Sequence, residues 1–237
     1  MKKNNINLKQ MEITEKDILF EDNHIIAVNK RAGDIVQGDK TGDEPLVEKV
    51  KRYIKVKYDK PGEVFLGVVH RIDRPVSGVV LFARTSKSLA RLNQLFKDKD
   101  LKKTYWAIVK NRPNPESQTI EHYLVRNQKQ NKSYAYDGPK ADAKLASLTY
   151  SLINSSDNYH LLQVLLHTGR HHQIRCQLSK IGSPIKGDLK YGFSRSNKDG
   201  SISLHAREIK FIHPVKKEEI HIICPLPKDN LWNVFKK

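Results

Sequence analysis

Two short segments of this chain carry charged residues where folding alone seldom calls for them. In Gly67-Val68-Val69-His70-Arg71-Ile72-Asp73-Arg74-Pro75-Val76-Ser77-Gly78-Val79-Val80-Leu81-Phe82, two apolar strands bracket a loop holding His70, Arg71, Asp73 and Arg74. Pro75 turns Arg74 away from helical geometry, and Gly78 permits a sharp return. A loop pinned between rigid strands is a good carrier for a functional group. Asp73 offers a carboxylate surrounded by guanidinium charge; a structural ion pair at a strand end would use the same residues. The second segment is His167-Thr168-Gly169-Arg170-His171-His172-Gln173-Ile174-Arg175. Thr168 is expected to cap a helix whose N-terminus, with Arg170 and Arg175, would stabilise an anion such as a phosphate or a catalytic carboxylate. Its three histidines suggest a metal, but no carboxylate or thiolate lies close enough in sequence to complete a ligand set, so no metal is expected.

A third cluster, Lys102-Lys103-Thr104-Tyr105-Trp106, interleaves basic and aromatic residues, as a nucleic-acid surface does. Trp106 reads better as a core residue, whereas Tyr105 suits either a core or a stacking role. Lys49 to Lys60 reads as the solvated face of a helix. The phosphate-binding G-x-x-x-x-G-K-[ST] loop, G-x-G-x-x-G, H-E-x-x-H and G-x-S-x-G are absent. Their absence removes the simplest nucleotide-hydrolysing, dehydrogenase, zinc-protease and serine-hydrolase readings.

The 237 residues include 43 Lys+Arg against 26 Asp+Glu, a formal net charge of +17. That excess points to a polyanionic partner, nucleic acid first and an anionic membrane second. No stretch approaches the roughly 18 apolar residues of a membrane span. The basic start, Met1 to Gln10, has no apolar segment behind it and does not read as a secretory signal. Cys176 and Cys224 stand alone, so neither a disulfide framework nor a cysteine zinc site is expected, and a reducing cytoplasm is the default location.

The elements that must position these groups follow from periodicity. Residues 1–17 read as a flexible basic arm. Ile18-Leu19-Phe20 and Ile25 to Val28 form a hairpin about Glu21-Asp22-Asn23. Leu46, Val50, Ile54 and Tyr58 mark an amphipathic helix; Phe65–Val69 and Val79–Ala83 read as strands. Ser86 is expected to cap a helix through Leu89, Leu92 and Phe96. Strands are expected at Tyr105–Val109, Thr119–Val125, Lys144–Ile153, Tyr159–Leu166, Ile202–Phe211 and Glu219–Ile223. Asn127–Asp142, with Gly138-Pro139, reads as a loop. A helix from Thr168-Gly169-Arg170 should end at Gly182, and Asp229 should cap a short closing helix. The strands are too many and too often adjacent for alternating βαβ units. The expected class is α+β, with a mixed, mainly antiparallel central sheet and helices packed on it, as one domain over residues 18–237.

Taken in order, the segments resemble RluA-type pseudouridine synthases. His70-Arg71-Ile72-Asp73-Arg74-Pro75-Val76-Ser77-Gly78 is similar to that family's H-R-L-D-x-x-T-S-G. Lys103-Thr104-Tyr105 resembles K-x-Y, Gly169 to Arg175 resembles G-R-T-H-Q-I-R, and Gly187-Asp188-Leu189-Lys190-Tyr191-Gly192 resembles G-D-x-x-Y-G. Asp22 to Lys30 and Cys224-Pro225-Leu226-Pro227 fit as well, so the likeness runs over about residues 18–228. It implies the pseudouridine synthase fold and isomerisation of uridine in rRNA or tRNA without a cofactor. Asp73 would be the catalytic carboxylate, attacking the sugar or taking a proton from it. Tyr105 would stack on the uracil and handle a proton at carbon five. Arg175 would pair with Asp73, with Arg170 as the alternative. Arg71 would hold the RNA open around a flipped nucleotide; His70, Arg74, Arg170, His172 and Lys103 are the other expected RNA contacts.

Val76 stands in place of the usual Thr, Arg84 in place of the common Lys, and His171 in place of Thr. With about 17 residues ahead of the matched region, a form without a separate S4-type RNA-binding domain is expected, probing RNA with the catalytic domain itself as a monomer. Two competing readings are a non-catalytic RNA-binding protein of the same fold and a carboxylate-dependent glycosidase. The latter would normally need a paired acid, for which the other motifs supply only Asp188.

Overall fold

A computed structural model of the chain describes residues 13–236. Residues 1–12 of the expected arm lie outside the described residues. Residues 13–17 belong to the fold: Glu15–Asp17 is a 3-10 turn, closed by Asp17 accepting from Thr14 N at 3.0 Å and from Arg31 Nη2 at 3.0 Å. Residues 13–17 thus depart from the expected arm, because the buried Asp17 pairs with the exposed Arg31 just after β2's hairpin.

The chain runs β1 (Ile18–Glu21), β2 (Ile25–Lys30), α1 (Leu46–Lys57), β3 (Gly67–Val68), β4 (Ser77–Ala83), α2 (Ser86–Asp98) and β5 (Leu101–Val109). It continues through β6 (Ser117–Asn127), β7 (Lys132–Tyr136), β8 (Lys144–Ser155), β9 (His160–Leu166), α3 (Gln173–Lys180), β10 (Leu204–Ile212), β11 (Glu219–Ile223) and α4 (Asn230–Val234). The strands form one sheet in the order β1-β2-β4-β10-β5-β9-β8-β6-β7, with β11 added to β10 and β3 to β4. Among the described pairings only β4 with β10 is parallel. The α+β class with a mixed, mainly antiparallel sheet is thus the observed one. No helix of the described residues is long and apolar enough to cross a membrane.

Several elements differ locally from their sequence signals. Thr85, one residue before Ser86, is the N-cap of α2, its Oγ1 accepting from Ser88 N at 3.1 Å. The strand expected at Phe65–Val69 shrinks to two residues, with Phe65 exposed. The expected loop at 127–142 contains β7, which pairs with β6 and places Ser133 inward. Lys49, expected on a solvated face, is buried and bonded to Asp34 at 2.6 Å. The helix expected from Thr168 begins only at Gln173: Thr168 Oγ1 donates to Gln173 Oε1 at 2.8 Å instead of capping. Gly182 does close α3, with Gly182 N bonded to Ser179 O and Ser183 N to Leu178 O. Asp229 caps α4 through Trp232 N at 2.9 Å.

One row of residues across the sheet fixes the relation between distant segments. Gly78 on β4 sits beside Ala206 on β10, which sits beside Tyr105 on β5, which sits beside Val164 on β9. Gly78 has φ +121°, and a Cβ there would lie 2.3 Å from Ala206 O. The strands approach so closely because position 78 has no side chain. Gly78→Ala is therefore expected to destabilise the protein by at least about 2 kcal/mol through backbone clash and strain. Thermal unfolding of the purified variant checks this, and an unchanged midpoint would refute it.

Candidate active site

The turn that leads into β4, the first residues of β5 and the entry to α3 meet at a cleft of about 620 Å³. Asp73, Tyr105 and Arg175 all line it. Asp73 is presented by a turn whose carbonyls are all engaged. Val76 N bonds Asp73 O at 3.0 Å, Gly33 N bonds Arg74 O at 2.8 Å and Ile202 N bonds Pro75 O at 3.1 Å. Beneath it, the fully buried Lys30 donates from Nζ to the carbonyls of Arg31 (2.9 Å), Arg74 (3.2 Å) and Val76 (2.7 Å). Burial pulls the Lys30 ammonium down to about 7, with Asp34 and Asp73 opposing. Three acceptors require three N–H donors, so the geometry is that of the charged ammonium.

Arg175 is the hub. Its Nε and Nη2 grip Asp188 at 2.6 and 2.9 Å, and its Nη1 reaches Asp73 Oδ2 at 2.9 Å. Asp188 is 1% exposed and Arg175 5%, whereas the Asp73 side chain is 28% exposed. Burial works against the Arg175 charge, but the bonds to Asp188 and the field of both carboxylates raise its pKa on balance. The guanidinium is thus permanently charged, and its fork fixes the direction of the more exposed carboxylate.

His172 packs beside this pair with φ 53°, a left-handed conformation that ends the β9–α3 turn. Tyr191 Oη accepts from Ser133 N at 2.8 Å and lies 3.0 Å from His172 Nδ1. The hydroxyl accordingly donates to Nδ1, and the His172 Nε2–H is directed at Asp73 Oδ2, 3.6 Å away. Burial, then Arg175, pushes His172 down to about 2, so it is a neutral ring. Tyr105 is buried at the cleft wall; burial, then the charge of Asp73, pushes its phenol up, so it remains protonated.

The expected RNA contacts divide. Arg71 and Arg170 are exposed and line the cleft, Arg170 with Nε bonded to Leu145 O at 3.0 Å. Lys103 also lines it, its Nζ 5.6 Å from the Phe96 ring centroid, and burial lowers its pKa. Three others are engaged within the protein. His70 is committed to the fold: Nε2 accepts from Leu81 N at 2.9 Å and the ring stacks on Phe96. His172 faces Asp73 from within the protein, as described. Arg74 is not among the cleft-lining residues and pairs with Asp43 at 2.6 Å. Arg170, the alternative partner for Asp73, bonds Leu145 O instead. Lys30, Asp188 and Tyr191 are supports whose function the motifs did not disclose; Lys97, Lys99 and Arg126 add positive charge along the cleft. Lys30 had one signal, a lysine ending the strand that begins with the apolar run Ile25–Val28. Among the described residues no group of three or more His, Cys, Asp or Glu could hold a metal ion.

The sequence profile of the RNA pseudouridylate synthase family matches residues 24–180. The chain belongs to that family. It is accordingly an RNA pseudouridine synthase, an isomerase, of the RluA type. It is 32% identical over 219 residues to the RNA pseudouridine synthase YhcT of Bacillus subtilis, covering 92% of this chain and 71% of that one. It is also 32% identical over 225 residues to ribosomal large subunit pseudouridine synthase D of Zymomonas mobilis, covering 90% and 70%. The structure of human RNA pseudouridylate synthase domain containing 4 shares the fold, with a TM-score of 0.75 at 24% identity over 90% of this chain and 89% of that one.

Two predictions follow from the charges in and around the synthase cleft. Asp188→Ala leaves the buried Arg175 without its main partner and is expected to cost about 3–5 kcal/mol of stability and most turnover. Denaturant titration beside a turnover assay checks this; an unchanged stability would refute it. The second concerns acid. Burial holds His70 at about 3, His172 at about 2, and His171 and His205 at about 4. The unfolded chain binds protons near 6.5 that the fold refuses, so stability should fall as pH drops from about 6.5 to 4. Melting curves at pH 7 and 5 should show the loss, and His70→Gln, which keeps an acceptor for Leu81 N, should reduce it.

Proposed function

We propose that this synthase isomerises uridines of ribosomal RNA, with Asp73 as the catalytic carboxylate acting on a nucleotide turned out of its stack. The observation that carries the reading is the 2.9 Å ion pair between a buried, doubly anchored Arg175 and a carboxylate that remains open to the cleft. Uridine and pseudouridine have the same composition. The bond from uracil N1 to C1′ breaks, the base turns, C5 bonds to C1′, and the C5 proton leaves to solvent as N1 gains one. Whether Asp73 attacks C1′ or takes a proton from the sugar, the requirement is one ionised oxygen at the ribose. Arg175 holds it there without competing for the substrate.

Tyr105 gives the uracil an aromatic face with a neutral hydroxyl, which suits a platform. Arg71, exposed at the rim, is suited to hold open the gap the nucleotide leaves, with Lys103 and Arg170 meeting flanking phosphates. Transfer RNA is the competing substrate; the name of the Zymomonas relative favours ribosomal RNA. In this reading residues 18–237 act as one catalytic domain, a cytoplasmic monomer that needs no metal or other cofactor.

The test is tritium release from C5-labelled uridine in separate rRNA and tRNA transcripts. Wild type should release tritium from rRNA. Asp73→Asn should lose on the order of 10³-fold or more in rate while keeping its RNA affinity within about threefold. Equal release by the variant would remove Asp73 from the reaction, and release from tRNA alone would reassign the substrate.

A further inference from the structure

The β6–β7 hairpin stands at one end of the sheet, where, among the described residues, β7 pairs only with β6. Its inner side carries Arg126, which lines the cleft and sits opposite Ser133 in the strand register. His171 ties this hairpin to the catalytic centre from the cleft side, while Tyr191 Oη and Cys176 Sγ hold the Ser133 main chain from behind at 2.8 and 3.2 Å. The His171 ring lies between its neighbour His172 and the hairpin. It stacks on the His172 ring at 3.8 Å, approaches Ser133 Oγ with Nδ1 at 2.9 Å and approaches Asn131 Oδ1 with Nε2 at 3.1 Å. The neutral ring has one N–H, and because Asn131 Oδ1 can only accept, Nε2–H donates to it; the Ser133 hydroxyl, 2.9 Å from Nδ1 and 2.7 Å from His171 O, is the donor shared by those two acceptors. Lys190 Nζ adds bonds to Gln130 O and Asn131 O at 3.3 and 3.0 Å.

His172 is the ring next to Asp73, so the hairpin tip, His171, His172 and Asp73 form one packed series. The left-handed turn at His172 makes this arrangement available: it directs consecutive histidines to different neighbours, one toward the carboxylate and one toward the hairpin. We propose that His171 is a positioning residue that fixes the β6–β7 hairpin against the catalytic turn, so that Arg126 meets the RNA backbone beside the target uridine. The inference rests on the reading of the cleft as the RNA site. His171 touches neither the ribose nor the base; it sets where one wall of the cleft stands. A freed hairpin loses RNA affinity because the wall must be ordered at the moment of binding, while the chemistry at Asp73 is supported separately by Arg175 and Lys30.

The experiment measures Kd for an rRNA transcript, kcat and KM from tritium release, and amide exchange, on the full chain. His171→Ala should raise Kd and KM about tenfold with kcat within about threefold, and should speed exchange at residues 128–133 but not within α3. Asn131→Ala, at an exposed hairpin position, and Asn131→Gly, which removes the same side chain without strain at its left-handed φ of 46°, should each raise Kd about threefold. The double variant should bind no worse than His171→Ala, since both remove one link. Additive losses, a fall in kcat at constant KM, or an unchanged Kd for Asn131→Ala would overturn the proposal. Should the chosen transcript bind but not turn over in wild type, the substrate reading fails, and the Kd cycle still decides the role of His171.

Discussion

A guanidinium buried between two carboxylates is the constraint around which this synthase is arranged. Arg175 is removed from water, and a lone charge there would be intolerable; Asp188, more deeply buried still, engages two of its nitrogens. The third nitrogen is left with one direction, and Asp73 lies along it. The backbone accepts cost to achieve this. His172 adopts a left-handed conformation worth about 1–2 kcal/mol of strain, and through it the chain passes from β9 into α3 with Arg175 facing the Asp73 turn. A buried pair of this kind contributes little net stability compared with apolar packing. Its value is orientation: a rigid fork, held from behind, aims an oxygen that stays partly wet.

The charge that greets an RNA strand has a corresponding division of labour. Three of the histidines lining the cleft wall, His70, His171 and His172, are held neutral by burial. The positive field therefore comes from side chains such as Arg71, Arg126 and Arg170, whose charge does not change across physiological pH. Attraction for the polyanion is set by salt, while the imidazoles serve as packing and hydrogen-bonding parts.

Much of this was legible in the residues. The apolar run of β5, the alternation of β8 over residues 144–153 and the fourfold spacing of α1 are strong signals, and the order of the motifs pointed to Asp73, Tyr105 and Arg175 as partners. What escaped was short or indirect. β7 is five residues whose inward members are Ser133 and Ala135, so no apolar stripe announces it. Thr168 has the chemistry of a cap, yet a side-chain bond to Gln173 uses it otherwise. His171 and His172 are indistinguishable as letters; only the sign of one dihedral separates the ring that faces Asp73 from the ring that faces the hairpin. Lys30 looked like the polar end of a strand, although its amine is wholly enclosed by carbonyls.

The turn that bears Asp73 is secured almost entirely through main-chain atoms: Gly33 N, Ile202 N and Lys30 Nζ all bind carbonyls, which every amino acid possesses. Such a mooring does not depend on the polarity of the side chains at positions 74 and 76, of which the first is exposed and the second packed in the core. Relatives can vary those side chains, as Val76 does here in the slot of a threonine, while the reactive oxygen keeps its coordinates. Drift in recognition of the surrounding nucleotides is thereby uncoupled from drift in the reaction itself, and one chemical centre can be inherited intact by enzymes with different targets.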